Sequence, residues 1–522
     1  SIISKHAKSS LVQQCLATYR RTDEEGSLQR INGHSFVSLL KNCMKLRDLE
    51  TGKEIHGWIA GTGLLERDPF VGATLVDMYA KCGCLTRAED AFEELRVRNV
   101  VPWTILMTAY ADNGHAEKAV ACFEKMQFEG VSPNAHTFIC ALKACSSIGA
   151  IGKGEEIHMD IRRQGLLENI YIGSALVDMY VKWGALDKAQ EVFFELPIRN
   201  VVIWTALLAG FVQHGVADKA HWCFQQMQFE GVPPNAVTYA CSLKASSILK
   251  SLVKGREIHT RLQCMGLLEK DLYVGSSLVD MYIKCGSISI AERVFGDITF
   301  RNVVLWNTLI AGYTEYGQGE EALQCFVEMR LEGISPDAVT FLCGLKACSI
   351  IGALGKAQKI HAEIETQGFV ERDLAVGNTL VDMYAKCGLL IVAQTIFHRL
   401  LVRNIVSWNA LIAGYTENGC GEKALELFKK MQLDDIFPDA VTYLCILKAC
   451  TSIEGADKAE EILADAEKHE LLNNIFIGST LVDMYAKCGS LAKGQAVFNN
   501  LPLRDVVAWN SLITAFAEYG HG

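Results

Sequence analysis

Two short motifs could hold a metal for hydrolytic chemistry. His115-Ala-Glu117 and His361-Ala-Glu363 have the H-x-E spacing in which histidine binds zinc and glutamate moves a proton. Such a centre also needs a C-x-x-C pair, and none of the 19 cysteines stands three residues from another. Cys82-Gly-Cys84 has the wrong spacing. His158, His259 and His361 recur after an isoleucine at matching places, which suits packed or capping side chains better than ligands. The expectation is therefore no catalytic residue, no metal and no cofactor.

A second set of polar residues is more informative, because it varies inside a frame that does not. "LVDMYAKCG" stands at 75–83, 380–388 and 481–489, with near-copies at 176–184 and 278–286, so the starts lie 101 or 102 residues apart. A phrase repeated at fixed intervals is a structural unit. Each interval resolves into three hairpins, as in 405–439, 440–474 and 475–505. Leu481, Met484, Tyr485 and Cys488 fall at i, i+3, i+4 and i+7, one apolar helical face, and Gly489 is placed to close the helix. Ser479, Asp483 and Lys487 line up on another, polar face. Neither helix of a hairpin could bury its apolar face alone, so stacked hairpins must share a core. The expected fold is all-α, an α-solenoid of helix-turn-helix repeats.

Bulk properties agree. Half of the 522 residues are hydrophobic and 21% are charged, which excludes a disordered chain. The longest apolar stretch, Val201 to Val212, is too short to span a bilayer and recurs once per interval, so it reads as a core helix. Most cysteines occupy equivalent positions, but Trp183 and Ser246 replace them at two, which a required bridge or ligand would not allow. They read as small buried packers. Trp103, Trp204, Trp306, Trp408 and Trp509 likewise read as core. A net charge of −10 argues against a nonspecific polyanion binder.

These residues resemble the pentatricopeptide repeat family, in particular its PLS subclass from plant organelles. The resemblance rests on "LVDMYAKCG", "LKAC", the first-helix pattern of Ile405–Gly414 ("IVSWNALIAG") and the "RN" that closes most short units, and it covers nearly everything from Gly33 to Asp505. By that grammar fourteen units span 33–505. L units lie at 33–68, 135–169, 236–271, 338–373 and 440–474; S units at 69–99, 170–200, 272–302, 374–404 and 475–505; P units at 100–134, 201–235, 303–337 and 405–439. Residues 1–32 read as a degenerate partial repeat or N-terminal cap, and 506–522 as the first helix of a further P unit, so the natural protein is expected to continue. The resemblance implies a right-handed superhelix with first helices inside.

Position 5 of a unit and its last residue change while their neighbours repeat. In P units the pairs are Thr104 with Asn134, Thr205 with Asn235, Asn307 with Asp337, and Asn409 with Asp439. In S units they are Ser174 with Asn200, Ser276 with Asn302, Asn378 with Asn404, and Ser479 with Asp505, while Ala73 with Asn99 lacks a hydrogen-bonding side chain at position 5. Two readings stand side by side. The last residue is a good helix N-cap and position 5 could face solvent; or each pair reads one RNA base, as the resemblance implies. On the second reading Val101, Tyr171, Val202, Tyr273, Val304, Val406 and Phe476, at position 2, flank the base. Lys81, Lys182, Lys284, Lys386 and Lys487, at position 13 of S units, would meet phosphates, or simply pair with the aspartate four residues earlier. L units carry Val37, Ile139, Ala240, Leu342 and Leu444 at position 5 and look like spacers or surfaces for editing-complex proteins; each adds a first-helix lysine, Lys41, Lys143, Lys244, Lys346 or Lys448.

The family's code would give the register A-n-A-A-n-A-U-n-Y-U-n-G for units 100–505, with n an L unit. The implied partner is single-stranded organellar RNA, with no membrane and no DNA, in a mitochondrion or chloroplast. The leading role is target recognition in C-to-U editing, with the deaminase-like domain absent from this chain. A splicing, stability or translation factor or ribonucleoprotein subunit is the alternative, and a peptide-binding scaffold the alternative of another class.

Overall fold

A computed structural model describes residues 33–453 except 269, then 455, 458, 459, 461, 462, 475–501 and 503–518. The partial repeat expected at 1–32 and most of the second helix of 440–474 lie outside these. The chain divides into two compact units, residues 1–254 and 255–522, and the division falls inside helix Leu252–Cys264. Among the described residues there is no β-strand, and no helix is long and apolar enough to cross a membrane.

In the first unit, helices Gly33–Leu46, Pro69–Lys81, Val100–Asp112, Ala135–Ile148, Ile170–Lys182, Val201–Gln213 and Ala236–Ile248 stack in sequence, each against the next. The helix between any two, such as Leu85–Glu93 or Ala116–Phe128, packs back on the first and leads into the second. The second unit repeats the scheme, with Leu272–Lys284, Val303–Glu315, Ala338–Ile351, Leu374–Lys386, Ile405–Glu417, Ala440–Ser452, Ile475–Lys487 and Val506–Glu518 in the first-helix row. This is a helical-repeat solenoid, as the 3.6-residue periodicity predicts. At the end of 33–68 a one-turn helix, Leu64–Arg67, precedes the next hairpin; Leu166–Glu168 and Phe369–Arg372 stand at the matching places. Their three or four residues carry no periodicity, so no sequence pattern announces them.

Three contacts explain the repeated letters. Trp103, Trp204, Trp306 and Trp408 are buried edge-on against Phe92, Phe193, Phe295 and Phe397, with ring centroids 4.4–4.7 Å apart. Arg98, Arg199, Arg301 and Arg403 lie over the same phenylalanines, which accounts for the "RN" closing those short hairpins. Trp509 repeats the contact with Phe498 but is 48% exposed, contrary to the core expectation, because no later described helix covers it. Position 4 of the short hairpins is glycine, and a Cβ on Gly72 would meet the Leu95 side chain at 2.3 Å, so a larger residue there would displace that leucine.

The third contact joins consecutive hairpins. Nδ1 of His56, His158, His259 and His361 lies 2.8–3.0 Å from the hydroxyls of Tyr79, Tyr180, Tyr282 and Tyr384. These histidines are packed, as expected; His361 meets Tyr384 and Glu365 while Glu363 pairs with Arg330, and no cluster fit to hold a metal occurs among the described residues. Burial holds His158, His259 and His361 below the ordinary histidine range. A lowered folded-state pKa means the fold refuses a proton that the unfolded chain accepts below about 6.5. Stability is thus fully present above that pH and is lost as pH falls through the lowered values. The chain should melt at a lower temperature at pH 5.5 than at 7.5, and H158Q/H259Q/H361Q should show a smaller drop. An equal drop in both proteins would remove these histidines as the cause.

Candidate nucleic-acid interface

The last residue of each P and S unit caps the next helix. Asn134, Asn235, Asp337, Asn404 and Asp439 accept the backbone N–H three residues on, and the hydroxyl there reaches back to the cap's own N–H, a reciprocal capping box. Asn99, Asn200, Asn302 and Asp505 also cap, with Val101, Val202 and Ile203, Leu305 and Ala508 as donors. The capping reading of these positions is therefore correct.

It is also incomplete, because position 5 is tied into the cap. Asn307 Nδ2 donates to Asp337 Oδ1 at 2.9 Å and Asn409 Nδ2 to Asp439 Oδ1 at 3.0 Å. Asn378 Nδ2 donates to Asn404 Oδ1 at 3.3 Å, and Ser479 Oγ to Asp505 Oδ1 at 2.8 Å. Thr104 and Thr205 reach their partners through one hydroxyl. Thr104 Oγ1 lies 3.0 Å from Thr137 Oγ1, which bonds Asn134 Oδ1 at 2.8 Å; Thr238 links Thr205 to Asn235 at 2.8 and 2.9 Å. Two pairs are not joined: Ser276 Oγ donates to Tyr273 O, and no hydrogen bond links Ser174 to Asn200. Position 5 is withdrawn from solvent where Thr104, Ser276, Asn307, Asn378, Asn409 and Ser479 are buried, and partly so at Ser174 and Thr205.

Beside these recessed pairs stands a row of apolar side chains that burial leaves in water. Val101, Val202, Val304 and Val406 are about half exposed, and Tyr171, Tyr273 and Phe476 more so. An exposed apolar side chain at the second position of these first helices is not needed for packing. In one groove of about 700 Å³, Val101, Thr104 and Asn134 share the walls with Lys81 and Asp77 of the preceding unit. One groove thus presents a hydrogen-bonding floor, an apolar ledge and a cation.

The S-unit lysines take the pairing option. Lys81, Lys182, Lys284, Lys386 and Lys487 lie 2.8–3.0 Å from Asp77, Asp178, Asp280, Asp382 and Asp483 while staying roughly half exposed. The L-unit lysines differ. Lys143, Lys244, Lys346 and Lys448 are exposed, with no carboxylate in ion-pair range among the described residues, and Lys41 lies over the Phe70 ring. Desolvation acts to raise the Asp337 and Asp439 pKa values, but bonds from Thr340 and Asn307, or Thr442 and Asn409, outweigh it and hold both below the ordinary carboxylate range. Both are acceptors near neutral pH.

The fold and this site define a helical-repeat protein whose polar pairs recur along its row of first helices. The PPR repeat family matches residues 98–147, 199–246, 301–349 and 403–452, and the PPR repeat matches 74–100, 174–201 and 378–405. A chloroplastic pentatricopeptide repeat-containing protein of Arabidopsis thaliana is 32% identical over all of this chain and 60% of its own length. A mitochondrial one from the same plant is 32% identical over all of this chain and 67% of its own. The first two relatives are thus spanned for about three fifths of their length. Among solved structures, pentatricopeptide repeat protein PPR10 from maize superposes with a TM-score of 0.65 at 20% identity, covering 98% of this chain and 80% of that one. A further structure of PPR10, in complex with an 18-nucleotide psaJ RNA element, gives 0.57 at 18% identity over 98% of this chain and 85% of that one. The chain belongs to the pentatricopeptide repeat family.

Because capping uses only Oδ1, exchanging Asn and Asp should leave the helix start intact. D337N should hold the protection of the Ala338–Ile351 amides against hydrogen exchange to within a few tenths of a kcal/mol, whereas D337A should cost about 1 kcal/mol. Equal losses in both would show that the carboxylate charge, not the cap, secures this helix.

Proposed function

We propose that this chain binds single-stranded RNA in a sequence-specific manner, one base per P or S unit, as the target-recognition part of a PLS-type organellar C-to-U editing factor. The fourteen-unit parsing of 33–505 goes with this reading. The observation that carries it is the join between position 5 and the cap, repeated beside an exposed position-2 side chain.

Capping supplies the chemistry. Oδ1 of the last residue faces the helix terminus in every case, so the opposite arm is left for a ligand. In asparagine that arm is an NH2 donor; in aspartate it is a carboxylate oxygen. Adenine N1 and cytosine N3 are acceptors, whereas uracil N3–H and guanine N1–H are donors. The cap residue therefore divides the bases into two classes, and the position-5 side chain beside it selects purine or pyrimidine. This supports adenine at Thr/Asn and Ser/Asn, uracil at Asn/Asp and guanine at Ser/Asp, and it favours cytosine over uracil at Asn378/Asn404. Position-2 side chains suit the faces of successive bases. PPR10, whose fold this chain shares, is described in complex with RNA, and chloroplastic and mitochondrial relatives support an organellar site. We assign no catalysis to the chain itself; L units remain candidates for editing-complex proteins.

Selection from a random RNA pool should enrich A-n-A-A-n-A-U-n-Y-U-n-G. T205N/N235D should convert the fourth position alone from adenine to uracil, with a wrong base costing about 1–3 kcal/mol. A pool with no such register, or a double variant with unchanged preference, overturns the code assignment.

Phosphate contact is tested separately. Replacing Lys143, Lys244, Lys346 and Lys448 with glutamine should weaken every RNA and flatten the salt dependence by about 0.7 per lysine. Glutamine at the five S-unit lysines should also flatten it, but less per residue, because each is shared with an aspartate. Unchanged slopes in both sets would place the phosphates elsewhere.

A further inference from the structure

The site contains a third side chain that belongs to the next unit. Thr137, Thr238, Thr340 and Thr442, each at position 3 of the unit following a P unit, are fully buried. Thr340 Oγ1 lies 2.7 Å from Asn307 Oδ1 and 2.8 Å from Asp337 Oδ1, and receives the Asp337 N–H. Thr442 repeats this with Asn409 and Asp439, at 2.7 and 2.9 Å. A hydroxyl has one hydrogen. Asp337 Oδ1 already accepts from Thr340 N and Asn307 Nδ2, whereas Asn307 Oδ1 has no other donor, so the hydrogen goes there.

That bond holds the Asn307 amide in one orientation, with Nδ2 toward Asp337. Its remaining N–H and Asp337 Oδ2 then form a donor beside an acceptor, the complement of a uracil oxygen and N3–H. Remove the hydroxyl and Asn307 Oδ1 is buried without a donor, a state that side chains leave by turning toward water. After S units the third position is Pro102, Ile203, Leu305, Ser407 or Ala508. Only Ser407 has a hydroxyl, and it donates to Asn378 Oδ1 at 2.7 Å. Where the residue is Ile203 or Leu305, the pairs Ser174/Asn200 and Ser276/Asn302 are the two that are not joined, whereas beside Ala508 the Ser479 hydroxyl reaches Asp505 directly.

We infer that the position-3 hydroxyl of the following unit is a positioning residue for base selection, so that a base is read by three side chains spanning a unit boundary. Units lacking it discriminate less sharply. The inference rests on the RNA-reading function proposed above.

The test uses the whole chain and synthetic 12-nucleotide RNAs of the proposed register in sets of four, each set differing at one position only; the first set varies the seventh position, opposite Asn307/Asp337. Wild type should prefer uracil to cytosine there by about 10-fold or more. T340V should reduce that ratio to about 2-fold while the ratio at the tenth position, opposite Asn409/Asp439, is unchanged; T340S should restore it. A purely structural role would weaken all four RNAs equally and keep the ratio, which would overturn the inference alone. No base preference in wild type would overturn the RNA-reading function and this inference together. A second comparison needs no variant: adenine should be preferred more strongly at the first and fourth positions, opposite Thr104 and Thr205, than at the third and sixth, opposite Ser174 and Ser276. Equal preference at all four would also overturn it.

Discussion

The bond from a backbone N–H to the Oδ1 of the preceding asparagine or aspartate is the interaction on which the rest depends. It starts the next helix, and it fixes the cap residue beside the first helix of its own unit. It also dictates which atom of the cap remains outward. A capping residue is usually a purely structural device worth about 1 kcal/mol. In this chain the same residue is joined to position 5 in six units, so the local rule that starts a helix also orients a polar pair. On the proposed function, the structural and the functional readings of these residues are one geometry.

Precision at this site depends on packing that surrounds it. Trp306 is buried edge-on against Phe295, with Arg301 over the same ring, and the next residue along, Asn307, carries the amide that meets Asp337. Asn302, next to Arg301, caps the helix that bears Trp306. A side chain whose neighbours are locked has few rotamers to lose when a ligand arrives. The invariance of tryptophan and arginine alongside variable position 5 follows: the frame must not move if a single polar atom is to distinguish ligands.

Much of this was legible in the sequence. Repeat spacing and helical periodicity gave the solenoid, because a face repeated every 3.6 residues has one way to be buried. Cap residues were legible too, since asparagine before "AVTY" is a local signal. The one-turn helices at Leu64–Arg67 and Phe369–Arg372 were not, because a single turn leaves no period to detect. Nor was the role of Thr340: a threonine at a third helical position reads as half of a capping box, and its bond to Asn307, 33 residues earlier, exists only when hairpins are stacked. Trp509 shows the converse, a core residue by pattern that is exposed where no further described helix covers it.

The acidic balance of the chain takes on a meaning once the lysines are sorted by their partners. Each S-unit lysine is neutralised locally by an aspartate four residues away, and such an exposed pair contributes little to stability, about 0.3–0.5 kcal/mol. Its effect is on charge placement: the pair presents a cation only when a stronger anion competes for it. Among the described residues the L-unit lysines other than Lys41, which lies over the Phe70 ring, have no carboxylate in ion-pair range, and all five occur on units whose position 5 is apolar. On the proposed function, charge and recognition are therefore divided between unit types, with L units contributing attraction and P and S units contributing choice. On that function a chain of net charge −10 avoids indiscriminate polyanion binding, because the L-unit lysines recur only once per interval of about 100 residues and affinity develops only when a strand also satisfies the pairs between them.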